Sequence, residues 1–129
     1  PMKTIRELNR ILKPKGTLII SVPQKNALMY RLFGKNWAGL DTPRHLFVYS
    51  EKIMKEYARK SGFKVKNIRY LGGGGSILST IFYRLNKKGF LSESSFIKNK
   101  YLILAIYPFT SILNLLRLND TFEIELEKI

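Results

Sequence analysis

The feature that most constrains this 129-residue chain is an apolar run held between two prolines. Thr17-Leu18-Ile19-Ile20-Ser21-Val22 is nearly continuous in its hydrophobicity, with Pro14-Lys15-Gly16 before it and Pro23 after it. A run of this length without polar alternation suits a strand covered on both faces, as in α/β folds. The flanks agree. Upstream, Ile5, Leu8, Ile11 and Leu12 make one apolar stripe at helical spacing, Thr4 and Glu7 read as a T-x-x-E capping box, and the helix must stop before Pro14. Downstream, Ser50 caps a second helix with Glu51 in its first turn. Ile53, Met54, Tyr57 and Ala58 are expected to face inward, and Gly62 ends the helix.

Two further strands are expected. Lys64–Leu71 is one. Thr121–Lys128 alternates Phe122, Ile124 and Leu126 against Glu123, Glu125 and Glu127, the pattern of a strand with one face in the core. Lys64 and Lys66 share a face and could sit across a ladder from the glutamates; a solvated strand face explains the same pattern.

The order of these pieces carries a resemblance. ELNRILKPKGTLIISVP, then FGKNWAGLDTPRHLFVYS, then EYARKSGF is similar to the second half of class I S-adenosylmethionine-dependent methyltransferases. It is closest to the branch with an LKPGG turn, a Trp, a Pro-x-His and a Gly-Phe at these spacings. Lys15 stands where that branch commonly has Gly, at a turn position that calls for positive φ. The similarity runs over residues 1–71 and again over residues 120–128.

The resemblance implies the C-terminal part of a Rossmann-like α/β sheet: one parallel-type strand plus an antiparallel terminal pair, with Thr121–Lys128 in the middle. The expected division is a partial core over residues 1–71, an apolar and helical insert over residues 72–119, and a final strand over residues 120–129 returning to the sheet. The family's cofactor loop and ribose-binding acid both lie upstream of what Pro1 matches. The chain is therefore expected to be a truncated domain, inactive alone, with S-adenosylmethionine bound only in a longer protein and no cofactor-binding residue assigned here. The missing N-terminal half is the first expected partner.

Chemistry is expected in the loop over residues 23–47, because ligands of open α/β sheets bind beyond the carboxyl ends of the parallel strands. The loop holds the only histidine, His45. Methyl transfer gains most from proximity and orientation, and a hydroxyl acceptor also needs a base, for which His suits neutral pH. His45 is the candidate base; pinning the loop by a backbone hydrogen bond is the other role open to it. Tyr30, Trp37, Asp41 and Arg44 are the candidate substrate-binding residues, although the aromatics could equally staple the loop to the core. No second carboxylate or histidine stands at ligand spacing from Asp41, and no metal is expected.

The function expected is methyl transfer to a small-molecule or a lipid- or glycan-linked acceptor. The alternative is a non-enzymatic basic module on a membrane surface or nucleic acid. Net charge is +14, and residues 1–70 hold 16 Lys/Arg against 4 Asp/Glu. Such a field attracts anionic partners, but the cations are spread over two helices and a loop rather than interleaved with stacking aromatics, which argues against nucleic acid. The absence of cysteine excludes disulfides and thiol chemistry. The amphipathic start is no secretory signal, so a cytoplasmic location is expected.

The glycine run Gly72–Gly75 reads as a flexible hinge, since no phosphate-loop spacing follows it. Beyond it lie two apolar runs, Ile77–Tyr83 and Tyr101–Leu116, each too short to span a bilayer. They fit helices over the sheet's edge, a hairpin on a membrane surface with Arg84, Lys87, Lys88, Lys98 and Lys100 at headgroup level, or a homodimer interface. An exposed apolar edge on Thr17–Val22 is a second route to a dimer.

Overall fold

Strands β1 (Thr17–Pro23), β2 (Phe63–Leu71) and β3 (Thr121–Lys128) form a sheet ordered β1-β3-β2, with β3 antiparallel to both neighbours. The computed structural model describes residues 1–40, 45–85 and 99–129. The central place of β3 is the one the family resemblance implied. Phe122, Ile124 and Leu126 are completely buried, flanked by Val22, Ile20 and Leu18 on one side and by Tyr70, Ile68 and Val65 on the other. Ile5 of helix α1 (Met2–Ile11) and Met54 and Ala58 of helix α3 (Glu51–Lys60) cover this face.

The opposite face carries the glutamate row. Glu127 pairs with Lys66 at 3.1 Å, and the Arg69 guanidinium lies 3.9 Å from Glu125. These pairs are exposed and contribute at most about 1 kcal/mol each. A β-bulge interrupts β2 between Val65 and Asn67. It is what brings Ile68 and Tyr70 to the same face as Phe63 and Val65, one residue out of strict alternation. Among the described residues the far edge of β1 has no partner strand, and Ile19 is exposed there.

Local details confirm some expectations and correct others. Lys15 adopts φ of 60°, the strained value expected at the Pro-Lys-Gly turn, and Gly62 ends α3 at φ of 77°. Ser50 caps α3, its Oγ accepting from the Ile53 amide. The T-x-x-E capping box is not formed. Helix α1 begins at Met2, which leaves Thr4 inside the first turn, and Glu7 pairs with Arg10 instead. Ile53, expected to face inward, is exposed, as is Ile11 of the α1 stripe, because each lies at the margin of its apolar stripe.

A second apolar cluster lies beside the sheet. It joins Ala27 and Met29 of the β1–α3 loop, where a short helix α2 runs over Leu28–Phe33, to Trp37, to Ile77 of helix α4 (Gly74–Leu85) and to Leu113 of helix α5 (Lys100–Leu115). Two glycines of the run, Gly72 and Gly74, are packed closely. A Cβ on Gly72 would lie 1.6 Å from Asn119 Oδ1, and one on Gly74 would lie 2.6 Å from Ile106. Gly74 and Gly75 belong to α4. No helix among the described residues is long and apolar enough to cross a membrane.

Candidate functional site

The loop leaving β1 returns to its own starting point. Gln24 and Tyr49 form an isolated parallel bridge, with Lys25 N donating to Tyr49 O at 2.8 Å and Tyr49 N to Pro23 O at 3.0 Å. Both ends of the loop are thus fixed at the carboxyl end of β1, the end beyond which ligands of open α/β sheets bind.

Buried polar groups hold the loop there. Gln24 is buried, and its Nε2 donates to Arg117 O and Asn119 O, both at 2.9 Å. Its backbone amide donates to Asp120 O at 2.8 Å. Trp37 Nε1 donates to Asp120 Oδ1 at 3.0 Å, and the Ser76 hydroxyl donates to the other carboxylate oxygen. Ala38 N donates to Thr80 Oγ1 at 3.2 Å. The loop, the start of α4 and the entry to β3 therefore share one hydrogen-bonded centre around Asp120. Burial holds the Asp120 carboxyl above the usual Asp range, outweighing the Ser76 and Trp37 donors that pull it down.

Asn119 completes the arrangement. It is fully buried, donates from Nδ2 to Thr110 O at 3.2 Å and Asn114 Oδ1 at 2.7 Å, and accepts from the Asp120 amide through Oδ1 at 2.8 Å. None of Gln24, Ser76, Thr80, Asn119 and Asp120 stands out in the sequence as a site residue. The one available sign is an Asn-Asp pair placed directly before an alternating strand, a position where an Asx turn is the usual expectation.

The sequence-predicted residues fall as follows. Trp37 is 2% exposed, so its ring is a wall of the second apolar cluster. Tyr30 packs on it with ring centroids 5.3 Å apart and a 46° tilt. Gly39 lies against the same ring, where a Cβ would come within 2.2 Å of it. The Gly39 carbonyl in turn lies 3.1 Å from His45 Nδ1, and His45 is exposed. Tyr30, Trp37 and His45 are thus linked in one chain of contacts through Gly39. Asp41 and Arg44 lie outside the described residues.

A carbonyl oxygen can only accept, so the His45–Gly39 hydrogen bond requires the proton on Nδ1. In the neutral imidazole that leaves Nε2 as the basic nitrogen. Pinning the loop and presenting a base are therefore compatible roles for this one ring.

Beside the loop ends lies an open depression of about 430 Å³ lined by Asn26, Ser50, Glu51, Lys52 and Lys55. Glu51 is held below the usual Glu range by Lys55 first and by the Tyr70 hydroxyl second. Burial, reinforced by Glu51, pushes the Tyr70 hydroxyl up to about 12. Tyr70 is therefore a hydrogen-bond donor here and not a base.

Among the described residues, the glycine run is closed by Asn119 and Ile106, the buried carboxylate of Asp120 is engaged by Trp37 and Ser76, and the cleft over β1 lined by Ile5, Leu8, Ile20, Val22, Tyr49 and Met54 carries no carboxylate, so none of these three places offers a free acid to the ribose of S-adenosylmethionine.

A family model described as a methyltransferase domain matches residues 1–68, more than half of the chain. Among solved structures, that of a candidate sarcosine dimethylglycine methyltransferase from Galdieria sulphuraria is similar at 15% identity and a TM-score of 0.48, covering 98% of this chain and 47% of that one. The chain spans about half the length of that protein. No protein of curated function matches the sequence. The helix–turn–strand–loop–helix–strand succession of residues 1–68 is the part the family shares, and the chain belongs to the methyltransferase-domain family.

Proposed function

We propose that this chain forms the acceptor side of an S-adenosylmethionine-dependent methyltransferase, with His45 as the general base for a hydroxyl acceptor. The observation that carries the reading is the His45 Nδ1 to Gly39 carbonyl contact on a loop anchored at the carboxyl end of β1. It fixes the ring and leaves Nε2 as the nitrogen that takes the acceptor's proton. A positioned base of this kind contributes roughly 10²–10⁴-fold. Tyr30 and Trp37 hold the loop's shape, and Asp41 and Arg44 contact the acceptor. Leu46 and Phe47 are exposed directly after His45, which favours an acceptor carrying an apolar chain, such as a lipid-linked alcohol, over a wholly polar one.

Cofactor binding belongs, in this reading, to residues of the same protein outside these 129. The open edge of β1 is where a further strand of that protein pairs. The 129 residues alone are expected to show no saturable heat on calorimetric titration with S-adenosylmethionine, and a micromolar dissociation constant would refute this part. In the whole protein, His45→Gln should lower kcat by about 10²-fold or more with little change in KM, as expected for loss of a base acting in the transition state. An unchanged kcat would remove His45 from the chemistry.

A further inference from the structure

Helix α5 presents an outer face that nothing in the described fold covers. Tyr101, Leu104, Tyr107, Ile112 and Leu115 are exposed, Leu104 by 71% and Leu115 by 83%, while Thr110 is buried and Leu113 is turned into the second apolar cluster. No charged residue occurs between Lys100 and Arg117. Soluble helices normally alternate an apolar inner face with a charged outer one. Here both faces are apolar, and an exposed patch of this kind marks an interaction surface.

Charge chooses among the occupants. Lys100 begins the helix, its Nζ 5.1 Å from the Tyr101 ring centroid, while the Arg117 guanidinium beyond the helix end is turned to the Tyr70 ring of β2, 5.7 Å from its centroid. A second copy packed parallel on this face would set Lys100 against Lys100, and no acidic residue between Asn99 and Asn119 could offset that encounter. An anionic lipid surface meets Lys100 favourably and takes the apolar side chains that follow it. The two outward tyrosines suit the boundary between headgroups and acyl chains. Sixteen residues give a helix about 24 Å long, and Pro108 cannot donate to the Leu104 carbonyl, which a helix lying at headgroup level leaves within reach of water. Both points orient the helix along the surface rather than through it.

We propose that the outer face of α5 docks this protein flat on an anionic bilayer, with Leu104, Ile112 and Leu115 inserted below the headgroups and Lys100 paired with lipid phosphate. The inference stands apart from the acceptor-side reading and does not depend on it.

The test is co-sedimentation of the chain with vesicles of phosphatidylcholine alone and with about one third phosphatidylserine. The wild type should partition onto the anionic vesicles. The Leu104→Glu/Leu115→Glu variant, altered only at exposed positions, should lose at least tenfold of that partitioning while keeping the wild-type thermal unfolding curve. Lys100→Ser should lose up to about fivefold on anionic vesicles and nothing on neutral ones. The proposal is overturned if the wild type does not sediment with anionic vesicles, or if the double variant sediments equally well. It is overturned in favour of a subunit interface if light scattering finds a wild-type dimer that the double variant converts to monomer.

Discussion

Trp37 donates its indole N–H to the Asp120 carboxylate at 3.0 Å, across 83 residues of chain, with both side chains buried. The bond joins the middle of the loop over the candidate site to the first residue before β3. It makes the loop's shape depend on the strand that returns last to the sheet.

Replacing Trp37 by Phe should therefore do more than thin the core. It leaves Asp120 Oδ1 without its buried donor and removes part of the surface on which Tyr30 and Gly39 rest. The expected loss is about 2–4 kcal/mol, measured by urea unfolding. A loss below about 1 kcal/mol would mean that the bond is not formed in solution.

Asp120 should also impose a pH dependence of recognisable sign. Its carboxyl is raised in the folded chain, chiefly by burial, so the folded state holds more protons than the unfolded one between the ordinary Asp value, near 3.9, and the raised value. Stability contributed by this group is complete below that window and is lost as pH rises through it. The stability difference between the wild type and Asp120→Asn should fall as pH rises from about 3 towards neutrality. Urea unfolding at intervals of pH checks this, and a flat difference would show that the site does not desolvate the charge.

Gly72→Ala should be severe for its size. The new methyl carbon would meet Asn119 Oδ1 at 1.6 Å, and Asn119 cannot move without breaking its bonds to Thr110, Asn114 and Asp120. A loss of about 3 kcal/mol or more is expected. Gly75→Ala is the control, since nothing stands within 4 Å of its Cβ position. Equal thermal shifts for the two variants would contradict this account.

Lys128 ends β3 by capping another element. Its ammonium donates to Asn9 O at 2.7 Å and to Leu12 O at 2.8 Å, satisfying carbonyls at the end of α1 where the helix dipole favours a cation. Lys128→Met keeps most of the stem and removes the charge. It should cost about 1–2 kcal/mol and accelerate hydrogen exchange in α1. Unchanged protection of α1 would show that the cap is not used.

The strands and the helices α1 and α3 were legible because their signals are local. The run at Thr17–Val22, the alternation of Phe122, Ile124 and Leu126, the Ser50 cap and the Gly62 stop each act within a few residues of chain. Even the bulge in β2 has a trace: apolar residues at 63 and 65 continue at 68 and 70, a break in period two that requires one extra residue. The positive φ of Lys15 follows from its turn in the same way. The central position of β3, by contrast, came with the family resemblance and not with any periodicity.

The sequence by itself determined which segments fold as strands and helices, which face of β3 is apolar, and that the loop after Val22 carries the one imidazole. Only the tertiary structure decided that Asp120, Gln24 and Asn119 are buried and partnered, that Trp37 belongs to the core, and that Gly72 packs against Asn119. The difference is one of range. Periodicity and capping are properties of neighbouring residues, whereas the burial of a polar side chain depends on partners as much as 95 residues away, which no local pattern encodes.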